Sequence, residues 1–135
     1  MVNIEDLEKE AEADLSWEMA DCDTVCLNIP RLKSKWCSKL YRSEIESKSI
    51  ELKLKSVYAQ LHEAYLSGQK TNVIVDRRDA DFYITGDDAY IKVFAEHELA
   101  KASCKWIEGV LKSIDSMSFS IQAAVRWNIF KSGGM

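Results

Sequence analysis

Arg31, Lys35, Lys39 and Arg42 follow one another at spacings of four, four and three, so on a helix they form one cationic row. Lys33 adds a fifth base, and no acid occurs between Arg31 and Arg42. Trp36 and Tyr41 lie in the same stretch. Ammonium and guanidinium groups hold phosphates and exposed rings stack on bases, so this combination has the chemistry of a site for a single strand of nucleic acid. The same residues have a plainer reading, with Trp36 in a core and the cations as the solvated face of a long helix.

A second basic group, Lys70, Arg77 and Arg78, is interleaved with Asp76, Asp79 and Asp81. Those arginines either bind phosphate or pair with the neighbouring aspartates, as surface groups commonly do. Other chemistry is poorly served. There is no phosphate-binding glycine loop, no HExxH and no nucleophile elbow. His62 and His97 are isolated, with no convergent partner in the pattern. Cys22, Cys26, Cys37 and Cys104 lack the CxxC spacing of zinc and redox sites, so small thiols are expected rather than a metal centre or cofactor. These features argue against an enzyme.

The elements that must position the cations are mainly helical. Pro30 to Gly68 has no internal Gly or Pro, and Trp36, Leu40, Ile50, Leu54, Val57, Leu61 and Ala64 keep nearly a heptad stripe, with Ser43 and Ser47 in its gaps. A helix is predicted there, with Pro30 in its first turn and Gly68 just past its end. Residues 3–20 predict a first, strongly acidic helix capped by Asn3, followed by a connector over 21–29. Residues 70–80 read as a loop. Phe82 to Thr85 and Tyr90 to Val93, separated by Gly86-Asp87-Asp88, read as a β-hairpin over 81–85 and 89–94. A helix from about Ala95 to Ser116 and another from Ser118 or Ser120 to about Lys131 close the chain.

The expected fold is therefore mainly α with one small hairpin. An acidic helix and connector fill 1–28, the long basic helix 29–68, the loop and hairpin 69–94 and the C-terminal helices 95–135, as one domain overall. The last helix is apolar on more than one side. Trp106, Val110, Ile114, Ile121, Val125, Ile129 and Phe130 are its candidates, with those of the helix before it, for contact with another subunit.

Charge is unevenly spread. Residues 1–28 hold nine acids and one lysine, whereas 29–67 hold eight bases and four acids. An acidic arm beside a basic helix suggests two partners, or an arm that competes with an anionic ligand for the basic face. The acidic, polar start does not look like a signal peptide, and no apolar run approaches a membrane span, so a soluble intracellular protein is expected.

The order of several short motifs resembles the UvsY family of phage recombination mediators. They are Ile4-Glu5-Asp6-Leu7-Glu8, Ser34-Lys35-Trp36, Tyr65-Leu66-Ser67-Gly68, Tyr90-Ile91-Lys92-Val93, Leu111-Lys112-Ser113-Ile114, Phe119-Ser120-Ile121 and Arg126. The resemblance covers nearly the whole chain. It implies a non-enzymatic protein of the host cytoplasm that binds single-stranded DNA. It further implies loading of a UvsX-type recombinase onto strands coated by the phage single-strand-binding protein, and assembly as a ring, a heptamer, through the C-terminal region. The family's Lys-x-Arg pair before Tyr-x-Ser-Gly is replaced here by Gln60 and His62. DNA contact would then fall to Arg31, Lys33, Lys35, Trp36, Lys39, Arg42, Lys53, Lys55, Tyr65, Lys70, Arg77 and Arg78. The alternatives are a helical protein–protein adaptor or a structural coiled-coil protein, neither of which binds DNA.

Overall fold

A computed structural model describes residues 3–70 and 74–133. The order of elements is α1 (Ile4–Leu15), a short 3-10 turn (Met19–Asp21), α2 (Cys22–Leu66), α3 (Arg77–Thr85) and α4 (Asp88–Lys131). There is no strand among the described residues, and no helix there is long and apolar enough to cross a membrane. The chain divides into two compact units. Unit 1 comprises residues up to Tyr41 and from Ser103 on, and unit 2 comprises Arg42–Ala102. Both long helices contribute to both units.

In unit 1, α1 begins as its sequence predicts. The Asn3 side chain accepts a hydrogen bond from the Glu5 amide at 3.0 Å, and Glu5 and Asp6 stand in the first turn, where carboxylates complement the helix dipole. Twelve residues are too few for an isolated helix, so α1 depends on burying Leu7 and Ala11, one turn apart. They join Trp36, Ile107, Val110 and Ile114 in one core cluster. A second cluster gathers Cys22, Met117 and Ile121, with Val25, Ile29 and Leu32 against it.

That second cluster explains why α2 starts earlier than predicted. Cys22, Val25, Ile29, Leu32 and Trp36 are spaced three, four, three and four, so the supposed connector continues the apolar stripe of the long helix. Pro30 lies inside α2 and leaves one backbone carbonyl without its helical donor, a loss of about 3 kcal/mol in an ordinary helix interior. Packing of Val25, Ile29 and Leu32 compensates on the other face. At its far end α2 stops as expected. Gly68 has φ 78°, and the Gln69 and Gly68 amides donate to the Ala64 and Tyr65 carbonyls, the double bond of a Schellman stop.

Unit 2 replaces the expected hairpin with a helix and a helix start. Asp76 caps α3 by accepting from the Arg78 amide at 3.3 Å, and Ala80 and Ile84, one turn apart, are buried with Leu61, Tyr65 and Val75. The β-forming run Phe82-Tyr83-Ile84-Thr85 is overridden by that cap and by burial of a single helical face. Gly86 and Asp87 form the link, and Asp87 caps α4 by accepting from the Ala89 amide at 2.9 Å. Of the loop expected over 70–80, Thr71, Asn72 and Val73 lie outside the described residues, and 77–80 are helical.

The predicted pair of C-terminal helices is one helix, α4, of 44 residues. Val110, Ile114, Met117 and Ile121 keep spacings of four, three and four straight through Ser116 and Ser118, so burial continues across the serines that suggested a break.

Candidate nucleic-acid interface

The cationic row of α2 is present, and most of it is occupied. Lys35 bonds Glu10 at 2.8 Å and Asp14 at 2.7 Å, both on α1, and Lys39 bonds the other oxygen of Glu10 at 3.0 Å. Lys33 pairs with Asp115 of α4 at 2.9 Å. Trp36 has no exposed surface. Its Nε1–H donates to Asp14 at 3.0 Å, Lys35 and Lys39 stand 5.8 and 5.5 Å from its ring, and Trp106 meets it edge-on at 6.3 Å. Trp36 is thus a core residue here and offers no face to a base. This corrects the reading of the indole as an open stacking platform.

The electrostatics agree with the distances. Hydrogen bonds from Lys35 and then Lys39 hold the Glu10 carboxyl below its ordinary range. Partial burial works against the Lys35 ammonium, but its bonds to Asp14 and Glu10 outweigh that and raise its pKa. The hydrogen bond to Asp115 raises Lys33 as well.

Two members of the row stay open. Arg31 and Arg42 are exposed and make no ion pair among the described residues. Arg31 lines an open cleft of about 580 Å³ in unit 1 together with Asp14, Asn28 and Lys35. Tyr41, beside Arg42, is 66% exposed.

In unit 2 the lysines are again engaged. Lys53 pairs with Glu96 at 3.6 Å, Lys55 with Glu51 at 3.9 Å and Lys70 with Asp87 at 3.3 Å. Tyr65 is buried, and its hydroxyl donates to Asp87 at 2.7 Å, so it too is structural rather than an open ring. That bond, followed by burial, pushes the Tyr65 pKa to about 12 and helps hold Asp87 below its usual value. Arg77 and Arg78 are exposed and form no ion pair among the described residues. Asp76 is used in capping, and Asp81 accepts the Tyr58 hydroxyl at 2.9 Å. The expected local pairing of these arginines is therefore not seen there. Phe82, one turn beyond Arg78, is 79% exposed, and its ring lies edge-on to the half-exposed Tyr83. Sequence reasoning missed this Arg78–Phe82 face because a strand reading sends the two residues to no common surface. The i, i+4 spacing would have found it. Of the replaced pair, Gln60 is exposed and His62 stacks on Tyr58 at 6.3 Å.

The candidates for subunit contact divide in the same way. Val110, Ile114 and Ile121 are buried by the chain's own residues and offer nothing to another copy, which corrects their assignment, and Trp106 is half-buried against the Trp36 cluster. Val125, Ile129 and Phe130 remain exposed, together with Phe119 and Trp127. The four cysteines form no disulfide, and no three potential metal ligands gather, among the described residues.

Comparison with known proteins adds a family to this geometry. The family model described as recombination, repair and ssDNA binding protein UvsY matches residues 10–134. No curated protein sequence matches the chain. Crystal structures of the bacteriophage T4 recombination mediator protein UvsY match its fold. In lattice type IV the TM-score is 0.86 at 22% identity, covering 96% of this chain and 99% of that one. Lattice type II gives 0.85 at 20% identity, covering 98% and 99%. At that identity the likeness establishes the fold.

Proposed function

The chain belongs to the UvsY family of recombination, repair and single-stranded-DNA-binding proteins, and from that premise we propose that it is a recombination mediator working inside the infected cell. The match over residues 10–134 carries this reading. The mediator binds single-stranded DNA, contacts the phage single-strand-binding protein that coats it and favours loading of a UvsX-type recombinase. No catalytic group is needed, because the task is differential binding: a strand held in a form that one partner accepts and the other does not.

The exposed arginines support the DNA part. Arg31, Arg42, Arg77 and Arg78 are the members of the predicted set with no ion pair among the described residues, and guanidinium is suited to phosphate. Tyr41 and Phe82 stand beside Arg42 and Arg78 as stacking rings. A few cations per subunit bind a strand weakly, and a ring multiplies them through effective concentration. The exposed apolar end of α4, with Val125, Trp127, Ile129 and Phe130, is the surface on which such a ring, a heptamer, would close.

Light scattering with and without a short oligo-dT, at two salt concentrations, tests the reading. The expected result is one discrete closed oligomer of roughly six to eight subunits, the range around the heptamer that the family resemblance implies. It should bind dT at low salt and release it at high salt, with a slope of roughly −0.7 per phosphate contact. A monomer or dimer that ignores dT at every salt concentration would point to a protein–protein adaptor.

A further inference from the structure

The acids that neutralise the basic row come from one short element. α1 carries six acids and one lysine, and two of those acids, Glu10 and Asp14, one turn apart, cover Lys35, Lys39 and the Trp36 indole. Two carboxylates thus bond two ammonium groups much as neighbouring phosphates of a strand would. The means of attachment are modest. Leu7 and Ala11 are the buried residues of α1, with Leu15 partly buried beside them, and the backbone is extended on both sides of the link, at Ser16 and Glu18. Arg31 waits unpaired in the cleft that Asp14 and Lys35 also line. A strand held there by Arg31 has its next cations under Asp14 and Glu10.

We infer that α1 is an internal competitor for the DNA site: Glu10 and Asp14 mask Lys35 and Lys39 until a polyanion, entering at Arg31, displaces the helix. This deepens the single-strand reading above and rests on it. In the closed state the arginines alone receive DNA. Once α1 lifts, two lysines join them and the Trp36 ring is uncovered. The device sets a threshold, so a short or sparsely charged ligand leaves α1 in place, while a strand presenting several phosphates pays for its removal.

The test compares oligo-dT binding, by fluorescence anisotropy across a salt series, for the native chain, for Glu10→Gln/Asp14→Asn and for Glu8→Gln/Glu12→Gln. The last pair removes the same charge from exposed positions of α1 that make no ion pair among the described residues. The masking pair should tighten binding roughly tenfold at low salt and steepen the salt slope by up to about 1.4, because only the native chain must return two carboxylates to the salt solution when Lys35 and Lys39 pass to the strand. The control pair should change affinity less than about twofold, as general screening of distant surface charge implies. Equal tightening by both pairs, or none by either while the native chain binds dT, overturns the masking role and leaves the single-strand reading standing. Failure of every form to bind dT overturns both. Hydrogen exchange on the native chain provides a test that requires no variant to fold. Added oligo-dT should deprotect the amides of α1, and unchanged or increased protection there overturns the inference.

Discussion

Units 1 and 2 both carry cations on α2, yet they neutralise them differently. In unit 1 the stretch from Arg31 to Tyr41 contains no acid, so the partners of its lysines come from other elements: Glu10 and Asp14 of α1, and Asp115 of α4. In unit 2 two of the α2 lysines find their acid on α2 itself, and a third reaches across to α4. Lys48 and Lys55 share Glu51 on their own helix, and Lys53 reaches Glu96 at 3.6 Å. A pair within one exposed helix face contributes only about 0.3–0.5 kcal/mol and fixes nothing beyond that face. The unit 1 contacts tie a separate helix down over a buried indole. Removing acids from a stretch of helix therefore leaves its cations waiting for something from outside, whether another part of the chain or a ligand.

The sharpest way to break this contrast is Trp36→Ala. The indole is wholly buried between α1 and α4 side chains, so about 3–5 kcal/mol should be lost and α1 should detach with it. Thermal unfolding measures the loss, and amide exchange should place the first opening in α1 rather than in unit 2. Asp87→Ala is the matching test in unit 2. It removes the cap of α4 and leaves the Tyr65 hydroxyl without its acceptor, for a loss of about 1–3 kcal/mol. Chemical denaturation checks it, with loosening expected first around α3.

Acid offers a smaller and reversible perturbation. The Glu10 pKa is depressed in the folded chain, so its stabilising contribution is full above the ordinary carboxylate value and fades as pH falls through the folded value. Acidification below about pH 4.5, the ordinary glutamate range, should therefore loosen α1. Asp87 is depressed as well, but its second anchor, the Ala89 amide, lies within its own turn, so α4 should outlast α1 in the same titration. Following α1 and α4 amide exchange from neutral pH downward decides the order. Loss of both at one pH would erase the distinction between the units.

How much of this was legible follows from the range of the forces involved. The Asn3 cap and the Gly68 stop are local, and each reads directly from a few residues. The stripe through Trp36 and Leu61 is periodic, and both residues are buried as the period requires. The start of α2 was hidden because Pro30 is a strong local signal, overridden by packing of Val25 and Ile29 against residues from α4 that lie far away in sequence. The supposed hairpin failed for a related reason. Phe82 to Thr85 favour strands by residue type, while only the spacing of Ala80 and Ile84 and the Asp76 cap indicate the helix. At the candidate site, residue types found the cations, but which of them are free depends on acids more than twenty positions away, such as Asp14 for Lys35 and Trp36.

The discontinuity of unit 1 also has a consequence for how the chain acquires its structure. Unit 2 is one uninterrupted segment, Arg42–Ala102, whose key contact joins Tyr65 to Asp87 across 22 positions. The α2–α4 core of unit 1, where Trp36 meets Ile107 and Ile114, needs the two flanks of that segment brought together. Loop closure costs less over short separations, and unit 2 shortens the effective distance once it forms. Loop closure therefore predicts that protection in pulsed hydrogen exchange grows outward from the Schellman stop and the α3 turn, along α2 and α4 toward the ends of the chain. By the same reasoning the tryptophan core should gain protection late, and the acidic helix, held by Glu10 and Asp14 on Lys35, last.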